Sequence, residues 1–211
     1  MALDYEEQEQ VDELKAWWKQ HGNKVMIGVT LFVLSIGGWR GWEFYQAKQT
    51  REAAVLFDGL RKELATNDAK KIRDIAGQLI DKYPRTIYAT DAAMIAAKVN
   101  FESGDAKSAK AQYQWVIEHA KQTQSKELGK LRLAVVFLDD KNYADALKQL
   151  DGTHDAAFAP LFNDLKGDVY SLQGKPLEAR KAYQAALDQL PKENPFRNYV
   201  ELKFDALGEQ G

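Results

Sequence analysis

Fifteen consecutive residues, Val25 to Trp39 (VMIGVTLFVLSIGGW), carry no charge, and Lys24 and Arg40 close the run on either side. A helix of that composition needs either a bilayer or a protein core around it. At 1.5 Å rise per residue it covers about 23 Å, short of a hydrocarbon core of roughly 30 Å. The flanking residues extend it. The long stem of Arg40 can lie along lipid while its guanidinium reaches the headgroups, and Trp39, Trp42, Phe44 and Tyr45 stand where an aromatic belt belongs. Counted to Trp42 the span is about 27 Å. The eight Val, Ile, Leu and Phe residues of the run favour insertion by roughly 2 to 5 kcal/mol before Gly, Ser and Thr subtract.

A cleaved signal peptide requires a basic segment before the apolar core and a small-x-small site after it. Residues 1 to 24 instead hold six acids against three bases, and Trp, Arg, Trp and Tyr follow the run. The expectation is a retained anchor over residues 24–45, with Val25, Leu31, Phe32, Leu34, Trp39, Arg40 and Trp42 as its membrane-contacting residues. Thr30, Gly37 and Gly41 fall on one helical face, and Gly37-x-x-x-Gly41 is a small-xxx-small pair that admits a neighbouring helix.

The anchor divides the chain into a tail, residues 1–23, and a domain, residues 46–211, large enough for a core of its own. The domain carries 25 bases and 24 acids, so no electrostatic footprint for nucleic acid is present. The absence of cysteine excludes disulfides, thiolate zinc sites and cysteine nucleophiles without choosing a compartment. Lys15, Lys19 and Lys24 on one side balance Arg40, Lys48 and Arg51 on the other. Orientation therefore rests on the habit of short leading tails to stay in the cytoplasm while long following domains are translocated. The expectation is a membrane crossed once, with the tail on the cytoplasmic side and the domain outside.

In the tail, Val11, Leu14 and Trp18 recur at helical spacing among acids and lysines, with Tyr5 and Trp17 nearby. This pattern predicts a short amphipathic helix lying at the membrane interface or docking a cytoplasmic partner, broken or bent at His21-Gly22-Asn23. From Gln46 onward every periodic segment is helical. Helices are expected at Gln46–Ala65, Ala69–Lys82, Thr86–Glu102, Ala106–Gln122, Lys126–Leu138, Ala144–Leu150, Ala157–Leu172, Leu177–Leu190 and Pro195–Leu207.

The helices come in pairs, and the pairs repeat. Gly174 to Ala179, with Tyr183 and Ala186, overlays Gly104 to Ala109, with Tyr113 and Val116, at an offset of 70 residues; Lys141 to Ala146 fills the phase between them. A period near 34 residues built on helix–turn–helix units is that of the tetratricopeptide repeat. Ala97, Gly104, Ala109, Tyr113, Ala134, Ala146, Gly167, Tyr170, Gly174, Ala179, Tyr183 and Pro191 define the units. Small residues such as Gly167 and Ala179 let helices approach, Tyr183 fills the space beside them, and Pro191 ends the second helix. The third unit is cut short at Gly152, with an irregular connection from Thr153 to Pro160; the first lacks a small residue at its turn. Phe196, Tyr199, Val200 and Phe204 on the final helix would cap the stack. The expected fold class is all-α: one N-terminal transmembrane helix, then a tetratricopeptide-repeat-like α-solenoid with a C-terminal capping helix.

No catalytic constellation accompanies this architecture. His21, His119 and His154 stand far apart without carboxylates at ligand spacing, and no phosphate loop or nucleophile motif occurs. Asp139-Asp140 reads as a solvated turn, and Trp115 as core or groove lining. The expectation is a non-enzymatic protein without cofactor or metal.

Val11-Asp-Glu-Leu-Lys-Ala-Trp-Trp in the tail, the exit Gly38-Trp39-Arg40-Gly41-Trp42, Tyr88-Ala89 opening a helix and the closing Leu202-Lys203-Phe204-Asp205-Ala206-Leu207 together resemble the YfgM family over essentially the whole chain. The resemblance implies a single-pass inner-membrane protein with a periplasmic domain. It also implies an ancillary subunit of the SecYEG translocon acting with the membrane-anchored chaperone PpiD. No catalytic residues come with it. The partners expected are thus the translocon, a PpiD-type chaperone, membrane lipid and emerging unfolded client polypeptides. The competing readings are an envelope scaffold of the outer-membrane assembly type, suggested by Tyr83-Pro84-Arg85-Thr86 but lacking a lipobox cysteine, and a membrane-tethered regulator whose cytoplasmic tail binds a signalling partner.

Overall fold

A computed structural model describes residues 2–208, with side chains from residue 10; Met1, residues 209–211 and the side chain of Tyr5 lie outside the description. Nine α-helices and one 3-10 turn, and no strand, occur among the described residues. The chain forms two compact units, residues 1–49 and 50–211.

The first unit is formed by the leading part of α1 (Ala2–Thr66). The break expected at His21-Gly22-Asn23 is absent, and the tail is not a separate short helix: α1 runs through all three residues. A single glycine costs a helix interior only about 1 kcal/mol, and local contacts surround this one. The Trp18 indole covers the Gly22 backbone at 3.0 Å from where a Cβ would stand. The His21 ring stacks on Trp17 at 5.3 Å, with its Nδ1 3.2 Å from the Trp17 carbonyl. Nor does a new helix begin at Gln46, which lies inside α1.

The second unit pairs the last turns of α1 with α2 (Ala69–Lys82), α3 (Ile87–Glu102) with α4 (Ala106–His119), α5 (Thr123–Asp139) with α6 (Tyr143–Leu150), and α7 (Ala159–Leu172) with α8 (Pro176–Gln189), followed by α9 (Pro195–Ala206). The α4–α5 junction lies three residues earlier than the periodicity predicts, because Ala120 turns extended at ψ 137° and its N–H closes the last bond of α4. The core is a chain of overlapping clusters, each shared by consecutive helices, as stacked repeats require. Ala53, Leu60, Ala76, Leu79, Ala92 and Ala96 form one; Leu131, Ala134, Ala146, Leu150, Phe162 and Val169 belong to another. Helix α3 lies between α2 and α4, and the five alanines Ala89, Ala92, Ala93, Ala96 and Ala97 are fully buried there, allowing backbones to approach from two sides.

The intra-pair turns show the repeat more plainly than the side chains do. Each holds one residue in the left-handed region: Asn67 (φ 56°), Gly104 (82°), Lys141 (56°) and Gly174 (70°). The next residue's N–H reaches back over the turn to a helix carbonyl: Asp68 to Glu63, Asp105 to Asn100, Asn142 to Phe137 and Lys175 to Tyr170. This is the Schellman closure. Asp68, Asp105 and Asn142 then cap the following helix by accepting from Lys71, Ser108 and Asp145 N–H. The Lys71 N–H holds the Asp68 carboxyl below the usual carboxylate range, and the Ser108 hydroxyl, with its N–H, does the same for Asp105. A lysine in the left-handed region is strained where glycine is not. Lys141→Gly is therefore expected to stabilise the domain by about 0.5 to 1 kcal/mol, net of glycine's extra unfolded-state entropy, measured as a higher urea midpoint at unchanged slope.

The irregular stretch after α6 is held by side chains. His154 stacks on the buried ring of Phe162 at 4.4 Å, and Lys130 Nζ donates to the Thr153 carbonyl at 3.0 Å while paired with buried Glu127. A 3-10 turn, Ala156–Phe158, leads into α7, which starts at Ala159.

Candidate functional site

Two surfaces of the molecule can bind something. The first is the apolar stretch of α1, the one helix among the described residues long and apolar enough to cross a membrane, with none of that stretch buried. Leu31, Phe32, Leu34, Trp39 and Trp42 are all at least half exposed, while Val25 is less so and Arg40 is exposed. Thr30 Oγ1 donates to the Met26 carbonyl at 2.8 Å, so its hydroxyl proton is used within the helix. Nothing stands within 4 Å of a Cβ placed on Gly37 or Gly41. Trp17 and Trp18 are exposed on the preceding turns.

The second is a groove in the repeat domain. On α3, the residues opposite the buried alanines are Ile87, Asp91, Met94, Ile95, Lys98, Phe101 and Glu102; on α5, Leu128, Arg132 and Val135 recur on one open face. Between these faces lies a cavity of about 490 Å³ with Tyr113 of α4 among its lining residues. Its walls are mainly apolar. Lys98 pairs with Glu102 at 3.6 Å, whereas Arg132 makes no ion pair among the described residues. Burial pushes the Asp91 carboxyl and the Tyr113 phenol above their ordinary values; for Tyr113, Arg132 pulls the other way and Glu102 adds to the rise.

The repeat-defining residues serve two purposes. Ala97, Ala109, Ala134, Ala146 and Ala179 are fully buried helix contacts, and Gly104 and Gly174 hold the left-handed turn positions. Gly167 faces the Tyr183 ring so closely that a Cβ there would overlap it. Tyr170 packs against the α8–α9 cluster, and Pro191 is exposed just beyond the end of α8. Trp115 turns away from the groove: it packs beside Ala93, Val116 and Ala120 and stacks on His119 at 4.7 Å. Asp140 pairs with Lys110 at 2.8 Å in its turn.

Sequence periodicity missed a buried ion cluster beneath α9. Lys203 Nζ lies 3.0 Å from Asp164 and 2.7 Å from Asp168, and the Tyr183 hydroxyl donates to Asp168 at 2.8 Å. Burial pushes the Asp164 carboxyl up, against the pull of Lys203. Burial lowers the Lys203 ammonium, but its hydrogen bonds to Asp168 and Asp164 and their charges outweigh this and leave it raised. The one available signal was a lysine on the apolar face of a capping helix.

Paired helices stacked in register, closed by a cap and opening a groove between first helices, define a helical-repeat binding scaffold that also carries a helix of membrane-crossing character. The family model of the tetratricopeptide repeat-like domain matches residues 15–209. The ancillary SecYEG translocon subunit of Neisseria gonorrhoeae is 35% identical, covering 98% of this chain and all of that protein. Those of Haemophilus influenzae and Escherichia coli, similarly named, are each 26% identical over 88% and 89% of this chain and 91% and 90% of theirs. The chain belongs to the ancillary SecYEG translocon subunit family.

Proposed function

We propose that this protein is a non-enzymatic ancillary subunit of the SecYEG translocon. One observation carries the reading: end-to-end similarity to a relative of that name, so that tail, apolar stretch and repeat domain all have counterparts. In this reading residues 24–45 cross the inner membrane once, residues 1–23 are cytoplasmic and residues 46–211 form the periplasmic domain. The exposed apolar residues of α1 face lipid and translocon helices. The groove between α3 and α5 offers apolar walls to polypeptide emerging from the channel, and the repeat surface scaffolds a PpiD-type chaperone.

Affinity purification of the full chain from membranes in mild detergent is expected to recover SecYEG subunits and a periplasmic chaperone; recovery of neither overturns the reading. Replacing Gly37 and Gly41 together by leucine is expected to reduce translocon recovery while leaving membrane insertion intact, because bulk on that face keeps a neighbouring helix away. Deleting residues 2 to 20 is expected to leave the association in place, whereas its loss would favour a role carried by the tail.

A further inference from the structure

The second and fourth helix pairs carry the same tyrosine in register, Tyr113 and Tyr183, in opposite electrostatic settings. Around Tyr183 the space is filled from within. Its hydroxyl donates to Asp168, and Lys203 from α9 pairs with both Asp164 and Asp168 while lying 4.4 Å from the Tyr199 ring centroid. At the same offset of 70 residues, Asp168 is matched by Lys98, Asp164 by Met94 and Lys203 by Leu133. No carboxylate equivalent to Asp168 exists beside Tyr113, and no lysine enters from α5.

The consequence is a donor without an acceptor. Tyr113 is only 4% exposed, yet its hydroxyl has no hydrogen-bond partner among the described residues and opens on the cavity between α3, α4 and α5. Gln173 Oε1 is the only buried side-chain N or O atom without a partner among the described residues, so water reaches the Tyr113 hydroxyl from the cavity, and an acceptor entering there takes the place of that water. The facing charges are Lys98, Glu102 and Arg132. Glu102 pairs with Lys98 at 3.6 Å, so the exposed Arg132, which makes no ion pair among the described residues, is the cation at the cavity that an incoming anion can meet. Met94, Ile95, Leu128 and Val135 make the walls apolar, and the open face of α3 continues past the cavity through Asp91 to Ile87. A chain lying here has room to pass through.

We infer that this cavity receives an acidic side chain carried within an apolar, extended polypeptide segment, its carboxylate accepting from the Tyr113 hydroxyl and pairing with Arg132. Such charge-assisted bonds in an apolar setting are the strong ones. The inference rests on the groove reading given above and names what the groove selects. The second pair thus takes from its client the carboxylate that the fourth pair supplies from its own chain.

The test uses the full chain in lipid nanodiscs and fluorescence anisotropy with two labelled apolar peptides, both amidated at the C-terminus, one with a central glutamate and one with glutamine there. The glutamate peptide is expected to bind about tenfold more tightly, a difference of about 1.4 kcal/mol. Tyr113→Phe, which keeps the ring, and Arg132→Gln are each expected to remove several-fold of that preference without changing affinity for the glutamine peptide. Equal affinity for the two peptides overturns the inference and leaves the groove reading standing; failure of both to bind overturns the two together. A preference that survives both substitutions, or appears only when the peptide ends in a free carboxylate, also overturns it.

Discussion

Lys203→Met is expected to lower the unfolding free energy by about 3 to 5 kcal/mol, the usual cost of removing one partner from a buried ion cluster. The lysine side chain is 17% exposed and that of Asp164 9%, so without the ammonium two neighbouring carboxylates remain in a space that solvent barely reaches. The stem of methionine retains most of the packing against Tyr199, which separates the charge effect from a cavity effect. Adding Asp164→Leu to Lys203→Met is expected to restore most of the loss, since Asp168 keeps the Tyr183 hydroxyl and is 27% exposed. Equilibrium urea unfolding of the full chain in mild detergent, followed by circular dichroism, measures both. A single variant within 1 kcal/mol of wild type would show that the cluster is decoration rather than the clasp of the cap.

The pH dependence has a definite sign. Asp164 has a raised folded pKa, so its contribution to stability grows as pH falls through that value and the buried carboxylate takes up a proton. Without Lys203 this rise becomes larger. The deficit of Lys203→Met is therefore expected to shrink as pH falls through the raised pKa of Asp164. The raised Lys203 acts at the other end: its stabilisation is present below its unfolded value near 10.5 and is lost as pH rises through the folded one.

Gly167→Ala is the second large effect, expected to destabilise by about 1 to 3 kcal/mol and to lie toward the upper figure. The added methyl would occupy the volume of the Tyr183 ring. That ring cannot retreat freely, because its hydroxyl is tied to Asp168 and Asp168 to Lys203. In the second pair the matching residue is already alanine, Ala97, and Tyr113 is not tethered in this way. The contrast predicts strong coupling. In a Tyr183→Val background, Gly167→Ala is expected to cost under about 1 kcal/mol, a non-additivity that a double-mutant cycle reads directly. Additive costs would mean that the helices, rather than the ring, set the spacing.

Several elements were legible without coordinates because they follow from local rules. The uncharged run from Val25 to Trp39 announces its surroundings by composition alone, and the 3.6-residue periodicity of Ile72, Ala76 and Leu79 fixes which face of α2 is buried. Gly104 and Gly174 mark turns because glycine tolerates the left-handed backbone. Asn67 and Lys141 adopt the same conformation at the same phase, and nothing local in a lysine foretells it; there the closure of a helix pair imposes the turn. His21-Gly22-Asn23 failed in the opposite direction, since turn chemistry yielded to a helix supported on both sides.

By itself, then, the sequence determined an all-helical chain, an apolar stretch of spanning character and a paired-helix period, since each is written in residues close along the chain. Tertiary structure alone decided which tyrosine is satisfied and which is left open. Asp168 reaches Tyr183 across 15 residues and Lys203 across 35, whereas the position matching Asp168 beside Tyr113 is held by Lys98, which pairs with Glu102. The same residue type at the same phase is a structural lock in one pair and an open donor in another, because a hydrogen bond depends on what the neighbouring helices bring within 3 Å.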